Sequence, residues 1–169
     1  IGERLFLDAQ TLKPVNRYSL VHDALYRELF EASLGKRGQF KTELVWKDGD
    51  DYPGTLDTEQ ANLVASAGDS YWFFNNTWGR DSYDGEGGDM ITINSDPTPG
   101  GCPNASWNDG YTLFCNGVTS DDVVAHEWGH AYTQYTSDLV YQWQPGAMNE
   151  GYSDIWGETV DLINGREDG

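Results

Sequence analysis

The sequence predicts an α+β chain, because three kinds of segment follow one another along it. Paired strand-like runs stand near the start, a long helical rhythm occupies the middle, and a strand and a hairpin precede two more helical stretches. Arg4–Asp8 and Val15–Tyr18 flank Ala9–Pro14, a strand–turn–strand pattern. Ser19–Phe30 carries apolar residues at helical spacing, with a stop at Gly35, and predicts a helix. Lys47–Gly54 is a loop by its Asp, Gly and Pro content. From Thr58 to Gly79, residues Ala61, Val64, Ala65, Gly68, Tyr71, Trp72, Asn75 and Trp78 keep an i, i+3, i+4 rhythm, so a long helix is expected. Gly79–Gly88, rich in Gly and Asp, reads as a loop or a cation-binding turn. Met90–Asn94 is the clearest strand. Pro97–Pro103 leads into a hairpin between Cys102 and Cys115 whose turn is Asn108-Asp109-Gly110.

The chain has 169 residues, with 10 Lys+Arg against 28 Asp+Glu and a formal charge of −18. That balance argues against nucleic acid and anionic membrane as partners. No apolar run approaches the ~20 residues of a membrane span. The start, Ile1-Gly2-Glu3-Arg4, lacks Met, so a processed or trimmed piece is expected. Cys102 and Cys115 are best read as a disulfide closing the hairpin, which the chain-entropy model values at about 3 kcal/mol. Two reduced thiols or a zinc pair are the alternatives, but the spacing is not that of a zinc site. A disulfide and high acidity together point to a secreted, extracellular setting. Asn75-Asn76-Thr77 and Asn104-Ala105-Ser106 match the glycosylation acceptor pattern.

The chemistry concentrates in Val123-Val124-Ala125-His126-Glu127-Trp128-Gly129-His130. On a helix, His126 and His130 share one face about 6 Å apart, which lets two imidazoles reach one zinc ion. Glu127 is rotated about 100° from His126 and can approach a water at that metal without ligating it. Downstream comes Asn149-Glu150-Gly151-Tyr152-Ser153-Asp154, in which Glu150, Asp154, Glu158 and Asp161 fall at about 0°, 40°, 80° and 20° around a second helix. A solvated acidic face is the ordinary reading of such a stripe. It alternates, however, with Ile155, Trp156, Val160 and Leu162, for which burial is expected, and like charges at i, i+4 repel. Bound cations remove that conflict. Glu150 as third zinc ligand and Asp154 as acceptor for a ligand imidazole N–H use two of the four carboxylates. Two histidines and one glutamate leave a coordination position open, the pattern of a catalytic zinc.

These motifs resemble the thermolysin-like zinc metallopeptidases, the gluzincins, over about Asp57–Asp161 and most strongly over Val118–Glu158. The resemblance implies a zincin-like α+β fold, with a mixed, mostly antiparallel sheet packed on the active-site helix and a second helix carrying the third ligand. It implies His126, His130 and Glu150 on zinc, Glu127 as general base, Asp154 behind a ligand histidine, and Tyr141 supporting the tetrahedral intermediate. It further implies that Asn104 and Ala105 bind the substrate backbone and that Val123 lines the primary specificity pocket. Structural calcium is implied at Asp122, Asp161 and Glu167, although acidic residues at a helix start, here Asp121 and Asp122, also complement the dipole without an ion.

The family also uses a histidine, with aspartate and arginine partners, from a later helical domain, whereas the spare histidine here is His22. The expectation is therefore a catalytic subdomain over 31–169, partnered by a missing C-terminal part. For residues 1–30 two readings stand: the tail of an inhibitory propeptide, as in a zymogen, or an N-terminal hairpin plus helix. The implied activity is secreted endopeptidase hydrolysis of peptide or protein substrates on the N-terminal side of large apolar residues, by zinc-activated water with Glu127 as base. The alternatives are an inactive or incomplete peptidase fragment and a non-enzymatic calcium-binding module.

Overall fold

Backbone pairing divides the strands into two sheets in a computed structural model that describes residues 3–7, 14–19 and 25–166. β1 (Glu3–Leu7) and β2 (Pro14–Ser19) form an antiparallel pair of their own. The expected turn between them lies outside the described residues, as does His22. The main sheet contains β3 (Arg27–Leu34), β4 (Phe40–Lys47), β5 (Met90–Asn94), β6 (Ala105–Trp107) and β7 (Tyr111–Phe114), in the order β4-β3-β5-β7-β6. The β3–β5 and β5–β7 pairings are parallel, while β1–β2, β3–β4 and β6–β7 are antiparallel. The fold is thus the expected α+β arrangement of a mixed sheet against helices, its two edge strands antiparallel to their neighbours.

Among the described residues, none of the helix expected over Ser19–Phe30 is found. Ser19 closes β2, residues 20–24 lie outside the described residues, and Arg27 opens β3. Pairing decides this segment against its apolar spacing: β3 is bonded on both sides, to β4 and β5, and Leu29 is fully buried. Asp48 fixes its start, accepting from the Arg27 backbone N–H at 2.8 Å and from its guanidinium at 2.7 and 3.0 Å. β4 has no counterpart in the sequence reading, because Trp46 is its one buried side chain and no alternation shows.

α1 (Thr58–Trp78) starts with a reciprocal cap between Asp57 and Gln60, a device worth about 1 kcal/mol. It ends where Gly79 turns left-handed at φ 68° and returns its N–H to Asn75 at 2.7 Å. α2 (Asp121–Gln134) and α3 (Trp143–Asn164) follow. α1 and α2 pack on the sheet, and α3 packs on α2. Leu29, Leu63, Val64, Tyr71, Phe74, Met90, Phe114, Val124, Trp128 and Tyr132 make one core shared by sheet and helices. Fully burying a side chain of this kind contributes roughly 1.5–3 kcal/mol, so the sheet and α2 are locked face to face.

Two glycines set how close α2 and α3 come. A Cβ at Gly157 would stand 2.6 Å from the Asp122 carbonyl oxygen, and one at Gly129 would stand 3.1 Å from the Ser153 Cα. On α3, Val160 is buried and Trp156 packs on the core, whereas Ile155 and Leu162 are 54% and 79% exposed. The burial expected of Ile155 and Leu162 is therefore corrected: they lie on the helix face that the described residues leave open.

Candidate active site

The close approach of α2 and α3 brings three electron-rich atoms to one point. His126 Nε2 lies 3.0 Å from His130 Nε2 and 3.2 Å from Glu150 Oε2, and the His130–Glu150 distance is 3.7 Å. Ligands 2.0–2.1 Å from a tetrahedral zinc stand about 3.3 Å apart, the mean spacing of this triangle.

The outer nitrogens decide the tautomers. His126 Nδ1–H donates to Asp154 Oδ1 at 2.9 Å. His130 Nδ1–H donates to Asn149 Oδ1 at 2.7 Å, with the Ser153 hydroxyl 3.1 Å away. Protons held on both Nδ1 atoms leave both Nε2 atoms as bare lone pairs, facing each other and a carboxylate. Burial lowers the pKa of His130, which keeps its ring neutral, although the Asn149 bond opposes this. Three converging acceptors with no donor among them repel, and a divalent cation at their centre removes that repulsion. The donor set, two imidazoles and one carboxylate, suits zinc. Among the described residues one other trio, Asp96, Cys102 and Cys115, gathers three ligand atoms, and its two sulfurs are joined as the expected disulfide.

Glu127 sits beside the triangle, only 7% exposed. Burial pushes its carboxyl up to about 7, with Glu150 adding to the rise and His126 and the Trp107 backbone N–H opposing it. A carboxyl balanced near neutrality can both take and return a proton.

Above the triangle runs β6, an edge strand paired on one side to β7 through Ala105–Phe114, Ser106–Leu113 and Trp107–Thr112. Its start is tied down by the disulfide and by the Cys115 N–H, which donates to Asn104 O at 3.0 Å. Asn104 and Ala105 line two adjoining cavities with His126 and Glu127. One, of ≈ 380 Å³, has Val118 and Val123 in its wall; the other, of ≈ 600 Å³, has Trp107, His130, Tyr141 and Glu150. The Tyr141 ring is 6.0 Å from that of His130, and Tyr141 is 64% exposed.

The acidic residues expected around calcium behave differently. Asp161 is pushed above the usual carboxylate range by desolvation and then by Asp121 and Asp122, so these groups are neighbours. Asp121 is buried and accepts from Asn164 at 2.5 Å, with Arg166 3.6 Å away. Glu167 lies outside the described residues. Asn149, Ser153 and Gln134 were not singled out by sequence reasoning, since neutral polar residues carry no periodic signal. Only the Asn149-Glu150 adjacency hinted at the first.

Comparison with known proteins points to one family. The model of the thermolysin metallopeptidase catalytic domain matches residues 7–134, and that of the thermolysin metallopeptidase alpha-helical domain matches 137–168. A thermostable neutral protease of Geobacillus stearothermophilus is 38% identical over 135 residues, 72% of this chain and 24% of the protease. A zinc metalloproteinase of Renibacterium salmoninarum is 34% identical over 139 residues, 69% of this chain and 25% of its own. The solved precursor of protealysin, a metalloproteinase from Serratia proteamaculans, superposes with a TM-score of 0.73 at 25% identity, covering 85% of this chain and 45% of that one. The chain spans about a quarter of the length of these two curated relatives.

Proposed function

The chain belongs to the thermolysin family of metallopeptidases, and from that premise we propose that it is the zinc-binding part of a secreted endopeptidase. The observation that carries this reading is the triangle of two Nε2 lone pairs and one carboxylate, each imidazole turned inward by a partner on its far side. His126, His130 and Glu150 hold the zinc. When bound, the ion supplies Lewis acidity toward the scissile carbonyl and acidifies water.

The remaining steps fall to the chain's own residues. Glu127 takes the proton of the attacking water and passes it to the leaving amine. Tyr141 donates its hydroxyl proton in a hydrogen bond to the developing oxyanion. Asp154 and Asn149 keep the two imidazoles in the ligating tautomer. The open edge of β6 at Asn104 and Ala105 receives the substrate backbone as an added strand. Val123 and Val118 favour a large apolar side chain in the smaller cavity. Calcium at Asp122, Asp161 and Glu167 belongs to the same proposal, as does the assignment of residues 1–30 to a propeptide tail. So does a histidine from a later helical domain as a second oxyanion donor.

The test is Glu127→Gln in the intact enzyme. One zinc per chain should remain while turnover of a peptide substrate falls by a factor of about 10²–10⁴, the range for loss of general base catalysis. Wild-type turnover in that variant contradicts the role given to Glu127.

A further inference from the structure

Gln134 closes the last turn of α2, facing the hairpin that carries β6. Its Oε1 accepts from Trp107 Nε1 at 2.7 Å, and its Nε2 donates to Asp109 Oδ1 at 2.6 Å. One side chain therefore grips the hairpin at two points, the last residue of β6 and the middle residue of the Asn108-Asp109-Gly110 turn beyond it. Asp109 stands at φ 46°, in the left-handed region that Asp tolerates, and Gly110 follows at φ 125°. The Trp107 indole packs between Tyr83 and Trp128, with ring centres 5.2 and 5.7 Å away.

The start of β6 is fixed covalently by Cys102–Cys115, while β6 itself is only three residues long and its outer edge carries no strand among the described residues. Three register pairs on one side are few, and β6 lies at the short end of strand lengths. We propose that Gln134 is a positioning residue for substrate docking: by bridging Trp107 and Asp109 it fixes the far end of β6 to the metal-bearing helix, so that the open edge of β6 keeps one register relative to His126 and Glu127. The inference rests on the peptidase reading of the site. It assigns to Gln134 no contact with the reacting atoms. Its effect is on the binding of an extended peptide, because the strand edge must be preset for main-chain pairing to favour binding.

The experiment uses the intact enzyme and three proteins: wild type, Gln134→Met and Asp109→Asn. Gln134→Met keeps the length of the side chain and removes both bonds. Asp109→Asn keeps the acceptor oxygen and a residue at ease in the left-handed region. Gln134→Met should raise KM for a hexapeptide about fivefold to tenfold, the effect of losing one to two net hydrogen bonds, with kcat within twofold and zinc content unchanged. Amide hydrogen exchange over residues 105–113 should quicken by a similar factor while exchange in α2 stays put. Asp109→Asn should stay within twofold of wild type in both measurements.

A Gln134→Met enzyme whose KM or β6 exchange matches wild type overturns the inference, even if it melts at a lower temperature. An Asp109→Asn enzyme as impaired as Gln134→Met also overturns it, since charge and not the bridge would then matter. A wild-type enzyme without peptidase activity contradicts the peptidase reading and the inference with it. An active wild type beside an unresponsive Gln134→Met contradicts the inference alone.

Discussion

Helices α2 and α3 meet at two acid-rich places, and the chain treats them in opposite ways. Near the cleft, His126, His130 and Glu150 aim bare acceptors at one another, and Asp154, Asn149 and Ser153 stand behind them. Where α2 begins and α3 ends, the buried Asp121 is answered from inside the protein, by Asn164 and Arg166. Arg166 also bonds Asp69 at 2.6 Å and Ser66 at 2.8 Å, so one guanidinium ties α1, α2 and the end of α3 together. The first place is short of positive charge by construction. The second carries its own. Acidity by itself therefore does not single out the zinc site in this chain; convergence of unprotonated acceptors does, with every far-side nitrogen already occupied.

That contrast can be broken in graded steps. His130→Ala removes a vertex of the triangle, and the largest effect is expected there: loss of stoichiometric zinc after dialysis, read by metal analysis. Asp154→Ala touches only the support of His126, and zinc affinity should fall by about 10–100-fold, measured by competition with a chelator. Gly157→Ala forces a methyl against the Asp122 carbonyl at the point where the helices approach. It should cost about 1–3 kcal/mol in denaturant unfolding, and the spread helices should weaken zinc as well. The smallest effect is expected of Arg166→Met at the other place. Arg166 and Asp69 are each about one-third exposed and screened by solvent, so about 1 kcal/mol of stability should go while zinc binding is kept. Zinc loss in Arg166→Met equal to that in Asp154→Ala would erase the distinction between the two places.

How far the sequence could be read follows from the same physics. His-Glu-Trp-Gly-His and Asn-Glu-Gly-Tyr-Ser-Asp each fit within one or two helical turns, so fixed helical geometry converts their spacing into a shared face, and the triangle was legible. α1 was legible too, because its i, i+3, i+4 rhythm and its end at Gly79 are local. β3 was not, because Leu25 and Leu29 sit at a spacing a helix would also use, and only pairing with β4 and β5 distinguishes the two. β4 escaped because seven of its eight residues are exposed, leaving no alternation to see. The partners of the site escaped for a third reason. Asn149, Ser153 and Gln134 reach His130, Trp107 and Asp109 through hydrogen bonds across 19 to 27 residues, a separation that no local pattern encodes.

The most direct measurement is a crystal of the zinc-loaded protein with anomalous scattering collected on either side of the zinc edge. The account requires one peak, about 2.0–2.1 Å from His126 Nε2, His130 Nε2 and a Glu150 carboxylate oxygen. A zinc-loaded crystal with no peak inside that triangle, or with the only peak among Asp121, Asp122 and Asp161, would contradict it.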